Sequence, residues 1–228
     1  MGSDALPLDN DKEGEELADL GQIAERDGFS TKMIQCKGRY IVTDSKSGLM
    51  IIDQHRAHLL VLFHSLMTKL DAGQMTSQYL LIPEDIELEP ALSAVVADNL
   101  DRLMSIGFQV AVNDSQASEP DVPAACLWQL RAIPSALAPS TAVETFRTII
   151  ADIAEQTESP SDKQIWHRRV ALSLARATAI RGTTHISTEE IEHLVSELFR
   201  LPNPAYTPDG LPVIRIMSIE DIARLFMR

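Results

Sequence analysis

Asp53-Gln54-His55 is the place where this chain could do chemistry. A carboxylate and an imidazole side by side are donor types that hold a divalent ion or move a proton. They follow directly on the apolar run Leu49-Met50-Ile51-Ile52, so a strand would deliver them at its end. His58 and His64 lie a little further along the same stretch. Asp53 also has a purely structural use, because it can cap a helix by accepting a bond from an early backbone N–H. His55 is then a satisfied surface histidine. His167, His185 and His193 fall on predicted helices with no motif around them and read as structural or solvated. The chain carries no G-x-x-x-x-G-K-[ST] loop, no G-x-G-x-x-G, no C-x-x-C pair and no G-x-S-x-G elbow.

The elements that must position Asp53 and His55 run from Arg39 to Leu70. Tyr40-Ile41-Val42 is aromatic and β-branched, which suits a strand. Asp44-Ser45-Lys46-Ser47-Gly48 is turn chemistry, closed by a glycine free to take positive φ. Leu49 to Ile52 is continuously apolar, which predicts a strand covered on both faces. Leu59, Leu62, Phe63, Leu66 and Leu70 then recur at helical spacing. Asp71-Ala72-Gly73 ends that helix. A first strand is expected between Phe29 and Asp44, with Met33, Ile34, Tyr40 and Val42 facing inward.

Residues 1–15 are polar and acidic, with composition too poor in apolar surface to order, and read as a linker remnant. Met1-Gly2-Ser3 reads as an added leader, which fits a segment cut from a longer protein. Leu17 to Gly21 begins the fold. Gln74 to Glu89 is apolar and β-prone but contains Pro83, which suits an edge and a docking surface. Residues 90–106 pattern as one amphipathic helix, Phe108–Val112 as a strand, 113–122 as a loop, Ala125–Ile133 as a strand and Thr141–Gln156 as a helix. After a linker at 157–162, helices are predicted at Lys163–Ile180 and from Ser187-Thr188-Glu189-Glu190 to Arg200, the latter opened by cap chemistry. A turn at Thr207–Pro212, a strand at Val213–Met217 and a short capped helix ending near Phe226 complete the chain.

The 228 residues are 45% hydrophobic, enough for a substantial core, and only 5% aromatic, so that core is aliphatic. A formal charge of −13 repels phosphate, which argues against a self-sufficient DNA-binding module. Cys36 and Cys126 are too few for a disulfide scaffold and point to buried thiols in a reducing compartment. No apolar run approaches the roughly 20 residues a bilayer requires, and the first residues lack a signal-peptide layout. A cytoplasmic location follows as the expectation.

The stretch GRYIVTDSKSGLMIIDQHRAHLLVLFHSL resembles the opening of the C-terminal domain of the DNA mismatch repair protein MutL family. Asn203-Pro204 and TPDGLPVIRIMSIEDIARLF resemble its closing segment. The resemblance implies a mixed α/β (α+β) fold in two subdomains. Residues 16–75 and 160–228 would form a discontinuous dimerisation subdomain, and 76–159 an inserted external, regulatory α/β subdomain.

The family motif commonly reads D-Q-H-A-x-x-E-x-x-x-x-E and implies a metal-dependent endonuclease, whose ion polarises a phosphate oxygen or generates hydroxide. Here the alanine position is Arg56 and the two glutamate positions are Leu59 and His64. The late C-P-H-G-R-P positions are Thr207, Pro208, Asp209, Gly210, Leu211 and Pro212, without cysteine or histidine. The A-C-[RK] segment matches Ala175-Arg176-Ala177, again without its cysteine. The sequence therefore leads us to expect no endonuclease, no metal and no other cofactor. The alternative is a divergent nicking enzyme with a degenerate site made of Asp53, His55, His58 and Asp209.

Gln78-Tyr79-Leu80-Leu81-Ile82-Pro83 resembles the Q-x-x-L-x-P element by which family members contact the DNA-polymerase sliding clamp. The resemblance assigns clamp binding to Gln78, Leu81 and Pro83. It further implies a bacterial homodimer in which part of the apolar content at the chain's two ends forms a two-fold interface. Partners such as MutS would be reached through the full-length protein, with little direct DNA binding by this acidic domain and no membrane contact.

Overall fold

The computed structural model describes residues 32–112, 127–155, 163–181 and 183–227. The expectations for residues 1–15, Leu17–Gly21, Phe29, the 113–122 loop, Cys126 and the 157–162 linker lie outside the described residues. The fold is mixed α/β with two antiparallel sheets. The chain divides into two compact units. One runs through Val61 and resumes at Ala179, and the other is Leu62–Thr178.

In the first unit, β1 (Ile34–Cys36), β2 (Tyr40–Asp44), β3 (Gly48–Asp53) and β7 (Ile214–Ser218) form a sheet in the order β1-β2-β3-β7. The single strand expected before Asp44 is thus two. Lys37 and Gly38, both at positive φ (55° and 64°), reverse the chain between them. Facing also differs from expectation. Ile41 is fully buried, whereas Ile34 and Tyr40 are 57% and 37% exposed. Alternation along β2 puts Ile41 on the opposite face from Tyr40 and Val42, and the core selected the Ile41 face.

Met50 and Ile52 join Ile41 on the inner face, where they pack with Ala57, Leu60, Leu194, Val195, Leu198 and Ile214. Ala57 and Leu60 belong to α1 (Gln54–Asp71), and Leu194, Val195 and Leu198 to α6 (Thr188–Phe199). The opposite face of the sheet carries Val42, Leu49, Ile51 and Met217, which are only half-buried. β3 is therefore fully covered on one face, not both. Gly48 is not the positive-φ turn residue the sequence suggested. It lies in β3, where a Cβ would meet the Met217 carbonyl oxygen at 2.1 Å, so only glycine lets β7 approach this closely. Ser187 and Glu190 close a reciprocal cap at the start of α6, as Ser187-Thr-Glu-Glu predicts. Ser218 caps α7 (Ile219–Arg224) by accepting the Asp221 N–H at 3.1 Å, and its hydroxyl donates to Asp221 Oδ2 at 2.7 Å.

In the second unit, β4 (Ser77–Glu87), β5 (Gln109–Val112) and β6 (Leu127–Pro134) form a sheet in the order β4-β6-β5, leaving β4 at an edge. The helix expected over 90–106 is two, α2 (Pro90–Asp98) and α3 (Leu100–Ser105). Asn99 interrupts them, and its side chain turns back to donate to the Val95 carbonyl oxygen at 2.8 Å. α4 (Ala142–Ala154) and α5 (Lys163–Thr178) complete the unit. Its core is mainly aliphatic, but Phe108 and Phe146 meet edge-on at 5.4 Å within it. Trp128 is buried and donates to Ser93 Oγ at 2.9 Å, which satisfies two polar groups that would otherwise be costly there.

Candidate functional site

Asp53 ends β3 and starts α1, and its two carboxylate oxygens have different partners. Oδ1 accepts the Arg56 backbone N–H at 3.1 Å, an N-terminal cap. Oδ2 lies 3.8 Å from Arg39 Nε and 3.8 Å from Arg56 Nε. Arg39 immediately precedes β2, and the antiparallel register sets Tyr40 opposite Asp53. Arg56 also donates from its guanidinium to the Pro212 carbonyl oxygen at 2.7 Å. The Asp53 backbone N–H reaches the Val213 carbonyl oxygen at 2.9 Å. The closing segment of the chain is thus fastened beside the carboxylate.

His55 and His58, one helical turn apart, bond the carbonyl and the N–H of one residue, Ile180. The Ile180 carbonyl can only accept, so His55 Nδ1 donates to it, at 2.8 Å. The Ile180 N–H can only donate, so His58 Nδ1 is an unprotonated acceptor, at 2.9 Å. Burial, aided by the neighbouring His55, pushes the His58 pKa below its ordinary 6.5. Gln54 is fully buried; it accepts a bond from the Gln35 amide and donates to the Thr184 carbonyl oxygen at 2.9 Å.

The other positions of interest are equally accounted for. Leu59, at the first glutamate position, is buried in apolar packing. His64, at the second, is half-buried, and desolvation followed by the nearby Arg168 charge lowers its pKa. Thr207 is buried; its Oγ1 accepts the Leu211 backbone N–H at 2.9 Å and so closes the turn. Asp209 is exposed in that turn, and Arg176 is exposed on α5. Among the described residues, no group of three His, Cys, Asp or Glu side chains is disposed to hold a metal ion. A carboxylate flanked by two guanidiniums, beside a His58 whose Nδ1 accepts a backbone N–H and whose Nε2 therefore carries the ring proton, is a poor donor set for a divalent cation; His55 alone keeps Nε2 as an acceptor, because its Nδ1 donates.

Sequence reasoning missed Arg39 and Ile180, and gave Gln54 no role within the motif. Cross-strand pairing of Tyr40 with Asp53 would have revealed Arg39; nothing local marks Ile180. Two further readings need correction. Cys36 is exposed, because it faces outward on the edge strand β1. His185 is not on a helix but in the segment before α6, where its Nδ1 lies 3.0 Å from Gln35 Oε1. His167 is structural: it is buried on α5 and its Nδ1 lies 2.7 Å from Asp71 Oδ1.

The second candidate lies on β4. Tyr79 pairs with Ala132 and Glu84 with Leu130, so the four residues Leu80–Pro83 oppose Arg131 alone and bulge from the sheet. Tyr79, Leu81 and Ile82 are 73%, 103% and 79% exposed, and Pro83 is exposed as well. Gln78 differs from them. It is half-buried, and its amide donates to the Leu137 carbonyl oxygen at 2.6 Å.

Among the described residues, no helix is long and apolar enough to cross a membrane. Residues 33–186 match the model of the MutL C terminal dimerisation domain. The DNA mismatch repair protein MutL of Parabacteroides distasonis is 36% identical over 86% of this chain and 30% of its own length. That of Bacteroides fragilis is 35% identical over 86% of this chain and 29% of its own. The Koribacter versatilis protein is 27% identical over 85% of this chain and 28% of its own. The chain thus spans about 30% of the length of the curated relatives it matches. With that coverage, the chain belongs to the MutL C-terminal dimerisation domain family.

Proposed function

We propose that this domain joins two copies of a mismatch-repair protein and docks them on the sliding clamp, without cutting DNA itself. The family match over residues 33–186 carries the reading. The discontinuous dimerisation subdomain would be residues 16–75 and 160–228, with 76–159 as the external subdomain. The half-buried apolar sheet face of Val42, Leu49, Ile51 and Met217, extended by exposed Ile34 and Tyr40, supports a self-complementary interface. The same patch on both copies would bury what a lone protomer leaves wet.

The Leu80–Pro83 bulge supports docking on the clamp through Gln78, Leu81 and Pro83. An extended, apolar edge segment suits a greasy pocket, and pairing two such segments in a dimer strengthens a weak contact by tethering. MutS would be engaged through the full-length protein, in the cytoplasm. The Asp53 neighbourhood supports the absence of endonuclease activity, because Arg39 and Arg56 flank its carboxylate and the His58 tautomer leaves that ring no lone pair for an ion.

Sedimentation equilibrium at micromolar concentration tests the dimer. The expected result is a dimer that Ile51→Lys converts to a folded monomer. A parent chain that sediments as a monomer would overturn the reading.

A further inference from the structure

We infer that Ile180, Arg181, Thr183, Thr184 and His185 form a strap with one proton-sensitive fastening. Protonation of His58 opens its Ile180 end, and its Thr184 end holds. The chain leaves the first unit within α1, after Val61, and re-enters it at Ala179, directly before Ile180. The strap then leads into α6, whose Leu194, Val195 and Leu198 pack against the inner face of the first sheet.

The two fastenings differ in chemistry. At Thr184 the carbonyl oxygen accepts from two side-chain amides, Gln35 at 3.0 Å and Gln54 at 2.9 Å. Neither amide titrates. Gln35 Oε1 can only accept, so His185 Nδ1 donates to it, at 3.0 Å, and a protonated ring still donates. The backbone is close here too, since a Cβ on Gly38 would meet the Thr183 carbonyl oxygen at 2.8 Å. At Ile180, His55 is likewise a donor and keeps its bond in either charge state. His58 is the exception among the three imidazoles, because its Nδ1 accepts the Ile180 N–H. A proton on that nitrogen sets two N–H groups against each other and ends the bond.

The surroundings favour the neutral ring. Burial, and then the neighbouring His55, lower the His58 pKa. Asp53 caps α1 and lies between Arg39 and Arg56, and Arg181, beside Ile180, is exposed. As the pH falls through the lowered value, the Ile180 end is released while the amides at Thr184 stay fastened.

Amide hydrogen exchange in the purified chain tests this, with each amide expressed as protection over its unfolded-chain rate at the same pH. Between about pH 7.5 and about pH 5 the Ile180 amide should lose protection by about two- to tenfold, the contribution of one hydrogen bond. The Asp53 and Gln54 amides, bonded to the Val213 and Arg39 carbonyl oxygens, should keep theirs. His58→Gln retains an acceptor that does not titrate, so the Ile180 amide should stay protected at both pH values. His58→Leu, with its fold checked by circular dichroism, should leave that amide poorly protected at both. Ile180 protection that does not change with pH, or that falls equally in His58→Gln, would overturn the inference. A fall shared by the Asp53 and Gln54 amides would also overturn it, because the whole unit would then be loosening.

Discussion

Two regions of this molecule invite a functional reading, and they handle their side chains in opposite ways. Around Asp53 the polar groups turn inward. One carboxylate oxygen caps α1, the other faces two guanidiniums, and two imidazoles bond the carbonyl and the N–H of Ile180. Along β4 the apolar groups turn outward, with Leu81 and Ile82 almost wholly in solvent. The first pattern stabilises a fold; the second leaves surface for another molecule. Residue type alone points the other way, since carboxylates and imidazoles suggest chemistry and leucines suggest core.

Predictions that could break this contrast follow in order of size. Asp53→Ala should destabilise the first unit by about 2 kcal/mol, from the lost cap and the loss of a largely buried ion-pair partner. Thermal denaturation measures it, and clamp binding should not change. A fall in clamp binding with unchanged stability would reverse the assignment. Leu81→Asp with Ile82→Asp should do the converse, with stability within about 0.5 kcal/mol of the parent. Binding should weaken at least about tenfold, or about 1.4 kcal/mol, as read by titration calorimetry.

Acid supplies a smaller effect. His58 and His64 have lowered pKa values in the fold, so below the ordinary 6.5 the unfolded chain binds more protons than the folded one. Their contribution to stability is present above that pH and is lost as the pH falls through it towards the lowered folded values. His58→Gln retains an acceptor for the Ile180 N–H and should flatten the profile measured by denaturant titration. The surface pairs Arg200–Glu197 and Arg224–Asp221 are exposed and local. Replacing either arginine with alanine should cost under about 0.5 kcal/mol.

The strand–turn–strand–helix from Tyr40 to Asp71 was legible because alternation, turn residues and a helical apolar stripe agree with one another. The cap at Asp53 was legible for the same reason. What the sequence hid was set by partners distant along the chain. Gly48 reads as a turn residue until β7 is laid against it, when the Met217 carbonyl explains the missing side chain. Ile34 and Tyr40 look like core residues; only the pairing of β1 with β2 shows them on the outer face. His58 looks like a ligand until the Ile180 N–H takes its Nδ1 lone pair. The half-buried state of Gln78 depends on a turn that begins where β6 ends.

The most direct test of the inward-turned Asp53 site is a nicking assay on supercoiled DNA with the purified domain in manganese or zinc. The account predicts that the DNA stays supercoiled with either ion. Nicking that Asp53→Asn abolishes would contradict it.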